Sequence, residues 1–370
     1  MLDLVIHVGP AKCGSTSIQN FFSTQGRPCS ERTHFVLLDP VQISGLNHEE
    51  PDKSRLTAFT ELLLSSLNEC DVLILSHEFL FQCPYSIKNI CSLAANLVSH
   101  ISIIGYSRRQ SDFIVSAYSQ WLFRSPDRVK EATDVLVELE IDPNLFSGLE
   151  RQLIASIVND FYSARQLSNY SIYSIFDWHN SYQNILQLVR ESGAVVKCGV
   201  LPHKGSGKSL IQDFCQKSNL TLRKETEPAG NKVANISFDY DLIEAINAAV
   251  ILGLEVPGPH ECNKDISMIS NKMGRMQIRV SEFLSNLKAY IDTYYLHSNN
   301  QLCREFHLSK DYFSPSVQFS KPQILDMIRH EGQHRASHPS TFIKELRMQS
   351  AKMAVICLEM VKGYTDSQCK

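Results

Sequence analysis

An α/β fold with a central parallel sheet, helices on both of its faces and a mostly helical C-terminal extension follows from three features of the sequence. Short apolar, β-branched runs near Val5, Val36, Leu73, Ile103 and Val196 alternate with stretches of helical periodicity, the signature of strand–helix–strand units. The first run passes directly into a glycine-bearing turn and an amphipathic helix. Beyond Phe238 the strand-like runs stop and helical spacing takes over. At 370 residues, 43% hydrophobic, the chain has enough apolar material for one large core or two smaller ones. The expected division is an α/β core over residues 1–235 and a helical region over 236–370 that packs on the core or extends it.

The first strand, Leu2–Val8, leads into Gly9-Pro10-Ala11-Lys12-Cys13-Gly14-Ser15-Thr16-Ser17 and then the helix beginning Ile18-Gln19-Asn20-Phe21-Phe22. Backbone N–H groups at a helix N-terminus converge on one point, and the helix dipole favours negative charge there. Such a turn is a cradle for an anion. In the triphosphate-binding loop G-x4-G-K-[ST], the lysine follows the second glycine. Gly9 and Gly14 keep that spacing, but Ser15 stands in the lysine slot and the lysine sits earlier, at Lys12. The anion site is kept and the triphosphate clamp is lost, so a P-loop-like core for a nucleotide carrying a different activated group is expected.

Next come a strand near Val36 and a helix over Lys53–Glu69, with Leu56, Phe59, Leu62, Leu63 and Leu67 on one face. Asp71–Ser76 reads as a buried strand with His77 and Glu78 at its C-terminal end. Open α/β sheets bind ligands beyond the carboxyl ends of their strands, which directs both side chains towards the cradle. The plainer alternative has Glu78 capping the helix after Pro84 and His77 satisfied in the core. A helix over Ser86–His100, a strand over Ile101–Tyr106, the pair Arg108-Arg109 and a helix over Ser111–Trp121 complete this half.

These segments together resemble the sulfotransferases that use 3′-phosphoadenosine 5′-phosphosulfate. Lys12–Ser17, KCGSTS, is similar to their 5′-phosphosulfate loop, K-x-G-[ST]-[ST]-[ST]. Arg108 and Ser116 have the family's eight-residue spacing between a strand-end arginine and a helix serine, and Ser116-Ala117-Tyr118 resembles its S-x-Y text. The resemblance implies that Lys12, Gly14, Ser15, Thr16 and Ser17 hold the phosphosulfate, and that Arg108 and Ser116 hold the 3′-phosphate. A guanidinium fork suits that phosphate, and a hydroxyl adds one donor. Ser76-His77-Glu78 resembles the S-x-E of bacterial members, whose strand-end Glu or His is the general base, so the resemblance implies Glu78 as the first choice for base and His77 as the second. The implied acceptor is a carbohydrate hydroxyl of a polysaccharide or glycolipid. The clear resemblance covers residues 1–125; Asn299–Phe306 loosely resembles a later N-x-x-L-x-R-x-F text.

After Arg124 helices are expected over Val129–Glu140, Gly148–Gln166 and Trp178–Glu191, then a strand over Gly193–Val200 and a helix over Leu210–Ser218. His203–Ser209 is not a second triphosphate loop, because Pro202 occupies the place of its first glycine. Lys204-Gly205 has a weak likeness to the basic loop that some relatives close over the 3′-phosphate. Thr221–Asn235, polar and holding Pro228 and Gly230, is a lid candidate. Helices over Tyr240–Leu252, Met276–Leu296, Pro322–Glu331 and Phe342–Met360 follow, as a region suited to acceptor binding or oligomerisation.

Other classes find less support. A net charge of −3 gives no basic field for nucleic acid. Eleven scattered cysteines without paired spacing read as reduced thiols of a cytoplasmic protein. Cys13 is not expected to be a nucleophile. Neither His260 with Cys262 nor His330, His334 and His338 has the spacing of a metal site, so no metal is expected. No leader or bilayer-spanning segment is seen. Two alternatives to sulfuryl transfer remain: a small-molecule phosphotransferase needing ATP and Mg²⁺, and a nucleotide-binding module without chemistry.

Overall fold

The computed structural model describes residues 2–25, 28–159, 177–202, 209–223, 238–258, 261–273, 281–337 and 341–368. Each expected strand is present: β1 (Asp3–His7), β2 (Thr33–Leu37), β3 (Val72–Ser76), β4 (His100–Ser107) and β5 (Val195–Val200). They form one all-parallel sheet in the order β2-β3-β1-β4-β5. Leu4 of β1 pairs with Leu73 of β3 on one side and Ile101 of β4 on the other. All five residues of β3 are buried, as are Leu4, Val5, Ile6 and His7 of β1. Strands covered on both faces need continuous rather than alternating hydrophobicity, which is how these two read in sequence.

The chain divides into two compact units that interleave in sequence. The first comprises Met1–Arg109, Gln166–Asn235 and Tyr295–Phe313 and contains the sheet. Its helices are α1 (Ser15–Thr24), α2 (Pro40–Leu46), α3 (Lys53–Glu69), α4 (Pro84–Ala94), α8 (Trp178–Val189), α9 (Leu210–Lys217) and α13 (Leu296–Glu305). A 3-10 turn, Glu78–Gln82, follows β3. The second unit comprises Gln110–Arg165, Ile236–Tyr294 and Ser314–Lys370. It holds α5 (Gln110–Tyr118), α6 (Pro126–Glu138), α7 (Gly148–Val158), α10 (Tyr240–Ile251), α11 (Asn263–Met273), α12 (Glu282–Tyr294), α14 (Lys321–Ala336) and α15 (Thr341–Gln368).

Local chemistry sets many helix starts. Asp39 and Gln42 close a capping box around α2, Ser147 and Glu150 do so for α7, and Asp52 and Asp177 cap α3 and α8. In the second unit the buried Tyr118 hydroxyl donates to Glu244 at 2.7 Å, and the same carboxylate accepts from the Gly148 N–H at 2.7 Å. That ties α5 and the start of α7 to α10. Among the described residues no helix is long and apolar enough to cross a membrane.

Differences from expectation are mostly at ends. The helix expected over Ser86–His100 runs from Pro84 to Ala94, since Pro at its first turn favours an earlier start. The long helix expected to reach Leu296 ends at Tyr294, and α13 begins directly after it. Helices α2 and α11 had no expectation. Residues 160–166 and 276–280 of two expected helices lie outside the described residues.

Candidate functional site

In the order β2-β3-β1-β4-β5, the chain leaves β1 towards β2 and leaves β4 towards β5. The connections part at the carboxyl ends of β1 and β4, where an open parallel sheet leaves a crevice. Both loops singled out in the sequence end here.

After β1 the chain turns sharply. The Cys13 N–H donates to the Pro10 carbonyl at 3.3 Å, and Lys12 has φ 68°. A left-handed conformation costs a residue with a Cβ about 1–2 kcal/mol. Gly14 follows at φ 94°, and a Cβ there would lie 2.5 Å from Leu210 Cδ2 and 2.9 Å from Leu201 Cδ1. Those leucine ends can shift, so the left-handed backbone is what favours glycine there. Helix α1 then begins with no side-chain cap, its Ser17 N–H donating to the Gly14 carbonyl at 3.0 Å. Ser15 is 2% exposed, and its Oγ is buried with no hydrogen-bond partner among the described residues. A buried hydroxyl without a partner costs on the order of 1–3 kcal/mol. Thr16 and Ser17 are half-buried.

Beneath the loop, His7 at the end of β1 is fully enclosed, its Nδ1 2.8 Å from Ser76 Oγ. The same hydroxyl accepts from Gln19 Nε2 at 3.3 Å. Burial pushes the His7 imidazole down to about 3, so it is neutral. Among the described residues, the positive charge at the loop comes from Lys12 and Arg108. Burial lowers the Lys12 amine to about 8, with the Glu78 carboxylate opposing the shift and the Arg108 guanidinium adding to it. Arg108 Nη1 donates to the Lys12 carbonyl at 3.4 Å. Its own carbonyl accepts from Trp178 Nε1 at 2.7 Å. Arg109 turns elsewhere, donating from Nε and Nη2 to the Tyr312 carbonyl at 3.3 and 2.9 Å.

The first unit thus brings Lys12, Gly14, Ser15, Thr16, Ser17, Glu78 and Arg108 to one end of the sheet. Ser116 is half-buried on α5 and belongs to the second unit. Glu78 opens the 3-10 turn, and His77 caps it: Nδ1 accepts the Phe79 N–H at 3.0 Å. The cap is therefore His77 and not Glu78, and the helix after Pro84 has no side-chain cap. Burial lowers the His77 imidazole, with Glu78 and Asp39 opposing. With Nδ1 engaged as an acceptor, the single proton of the neutral ring sits on Nε2. Burial drives the Cys13 thiol well above its usual range, so it stays protonated.

Sequence reasoning missed Trp178, His7, Ser76 and Gln19, whose hydrogen bonds hold the site from behind. His7 and Ser76 carried a signal, each as a polar residue ending an apolar strand, and Ser76 entered the sequence reading only as part of the S-x-E text. His330 and His334 are exposed on α14, while His260 and His338 lie outside the described residues. Lys204-Gly205 and most of the lid candidate also lie outside them. The start of that segment is anchored: Ser30 N–H donates to the Thr221 carbonyl at 2.8 Å.

No protein-family model matches the sequence, and no characterised protein or solved structure matches it.

Proposed function

We propose that this chain is a sulfotransferase, moving a sulfuryl group from 3′-phosphoadenosine 5′-phosphosulfate to an acceptor hydroxyl. A carbohydrate hydroxyl is the acceptor class implied by the resemblance. One observation carries the reading: two cations, Lys12 and Arg108, and one carboxylate, Glu78, meet at a strained glycine loop whose buried Ser15 hydroxyl lacks a partner among the described residues. An anionic group at the start of α1 would supply that partner. The resemblance supplies a phosphosulfate as that anion, and Ser15 standing in the lysine slot of a triphosphate loop supports this reading.

In this reading Ser15, Thr16 and Ser17 hold the phosphosulfate, with Gly14 allowing its close approach. Lys12 meets the charge that grows on the bridging oxygen as the sulfur–oxygen bond breaks. Arg108 holds the 3′-phosphate, and the resemblance alone adds Ser116. Glu78 takes the proton of the acceptor hydroxyl as that oxygen bonds to sulfur, and 3′,5′-adenosine bisphosphate departs. His77 is the second choice for base, since its neutral ring presents a proton at Nε2 and uses its lone pair as a cap. Positioning and charge stabilisation supply most of the rate.

The test is transfer of ³⁵S from labelled cofactor into a panel of polysaccharides and glycolipids. Label should enter a hydroxyl-bearing acceptor with the wild type and not with Glu78→Gln. Incorporation that is equal in both proteins would remove the assigned base.

A further inference from the structure

The last helix, α15 (Thr341–Gln368), has two apolar faces. Ala351, Ala354 and Leu358, at i, i+3 and i+7, are buried within the second unit, where α15 packs against α10 and α11. Met353, Ile356 and Met360 repeat that spacing, yet they are 60%, 48% and 71% exposed. At 100° per residue the midlines of the two stripes lie roughly 160° apart around the helix. Three large exposed side chains at a/d/a heptad positions form the seam by which one helix packs along another.

The flanking residues indicate what covers the seam. Lys352 and Glu359 are both exposed and border the stripe on the same edge, while the half-buried Cys357 borders the other. A second copy of α15 laid antiparallel about Ile356 places Lys352 of one copy about 1.5 Å along the axis from Glu359 of the other. The two-fold repeats the pair in reverse, so two opposite-charge contacts form at once. Met353 of each copy meets Met360 of the other. A parallel pairing sets Lys352 and Glu359 against the Cys357 edge, where no charge answers them. Over the stretch from Arg347 to Lys362, opposite charges meet across the seam in the antiparallel orientation only.

We propose that the exposed face of α15 is a dimer interface, occupied by the same face of a second copy of this chain in an antiparallel, two-fold arrangement. It is independent of the sulfotransferase reading. With three anchors per copy, the association should be reversible, in the micromolar range. The same geometry places the two Cys357 residues on one side of the seam, about 3 Å apart along the axis.

Sedimentation velocity of the full chain up to about 100 μM tests this, since a micromolar dimer is then well populated. A monomer–dimer equilibrium is expected, with Ile356→Asp giving monomer at every concentration. Lys352→Glu and Glu359→Lys should each raise the dissociation constant about tenfold, because each reverses two contacts, and the double variant should return to within about threefold of wild type. A short bismaleimide should trap a covalent dimer of the wild type and not of Cys357→Ser. A chain that stays monomeric overturns the proposal, as does a dimer indifferent to Ile356→Asp. Should Ile356→Asp fail to fold, the charge-reversal cycle decides: no rescue in the double variant rejects the antiparallel interface.

Discussion

Arg108 Nη1 donates to the main-chain carbonyl of Lys12 at 3.4 Å, joining the carboxyl end of β4 to the loop that leaves β1. The two residues are far apart in sequence and meet because their strands are neighbours in register, Ile6 pairing with Ile103 and His7 with Ile104. Trp178 fixes the other side of Arg108 through its indole N–H. The guanidinium therefore stands at the switch point of the sheet with its backbone held.

Arg108→Ala should lower affinity for 3′,5′-adenosine bisphosphate by about 10- to 100-fold, the equivalent of a charge-assisted contact of about 1.5–3 kcal/mol. Affinity for 5′-AMP should change far less. Arg109→Ala should leave both affinities alone and act on folding, because Arg109 is engaged with the Tyr312 carbonyl. Calorimetric titration of each nucleotide separates these outcomes.

Lys12 gives a pH dependence. Its amine is lowered to about 8 by burial, and an arriving anion favours the protonated form. Affinity for the bisphosphate should be flat between about pH 7, above which its phosphates are fully charged, and about pH 8, and then fall, approaching tenfold per pH unit, as binding must take up a proton. Lys12→Arg keeps its charge throughout this range and should flatten the profile. A wild-type profile without a break near pH 8 would separate Lys12 from the anion.

Glu78→Gln preserves shape and removes the base, so transfer should drop by on the order of 10²–10⁴-fold while bisphosphate binding stays normal. His77→Ala should lose its cap on the 3-10 turn and show a stability defect of about 0.5–2 kcal/mol. Single-turnover transfer together with urea unfolding distinguishes them. Near-normal turnover in Glu78→Gln with a dead His77→Ala would reverse the two roles.

Gly14→Ala should destabilise the first unit by about 1–2 kcal/mol, chiefly the left-handed penalty, since the ends of Leu210 and Leu201 can shift aside. Gly9→Ala should be far milder, since a Cβ there meets Ser15 Oγ at 3.6 Å and nothing closer. Denaturant midpoints of the two variants measure the contrast.

The strands were legible because each is a short apolar run, and β3 and β1, enclosed on both faces, need nothing else. Lys53–Glu69 was legible to the residue, since Asp52 caps it and its apolar spacing is regular. Helix α2 escaped because seven residues make too short a periodic pattern. At the site, the loop residues could be read from local spacing. Arg108 could be separated from Arg109 only by spacing, whereas the structure separates them by what each guanidinium touches. Trp178, His7 and Gln19 support the site through contacts between distant segments, and a single sequence carries no record of those. The role of His77 was hidden for a different reason: capping depends on backbone direction after β3, which the residue type alone does not set.

The most direct measurement is calorimetric titration of the wild-type chain with 3′,5′-adenosine bisphosphate, 5′-AMP, and ATP with and without Mg²⁺. The sulfotransferase account predicts that the bisphosphate binds on the order of 10- to 100-fold more tightly than 5′-AMP, the worth of the Arg108 contact, and that Mg²⁺ adds nothing. Equal affinity for the bisphosphate and 5′-AMP, or tight binding of ATP only with Mg²⁺, would contradict it.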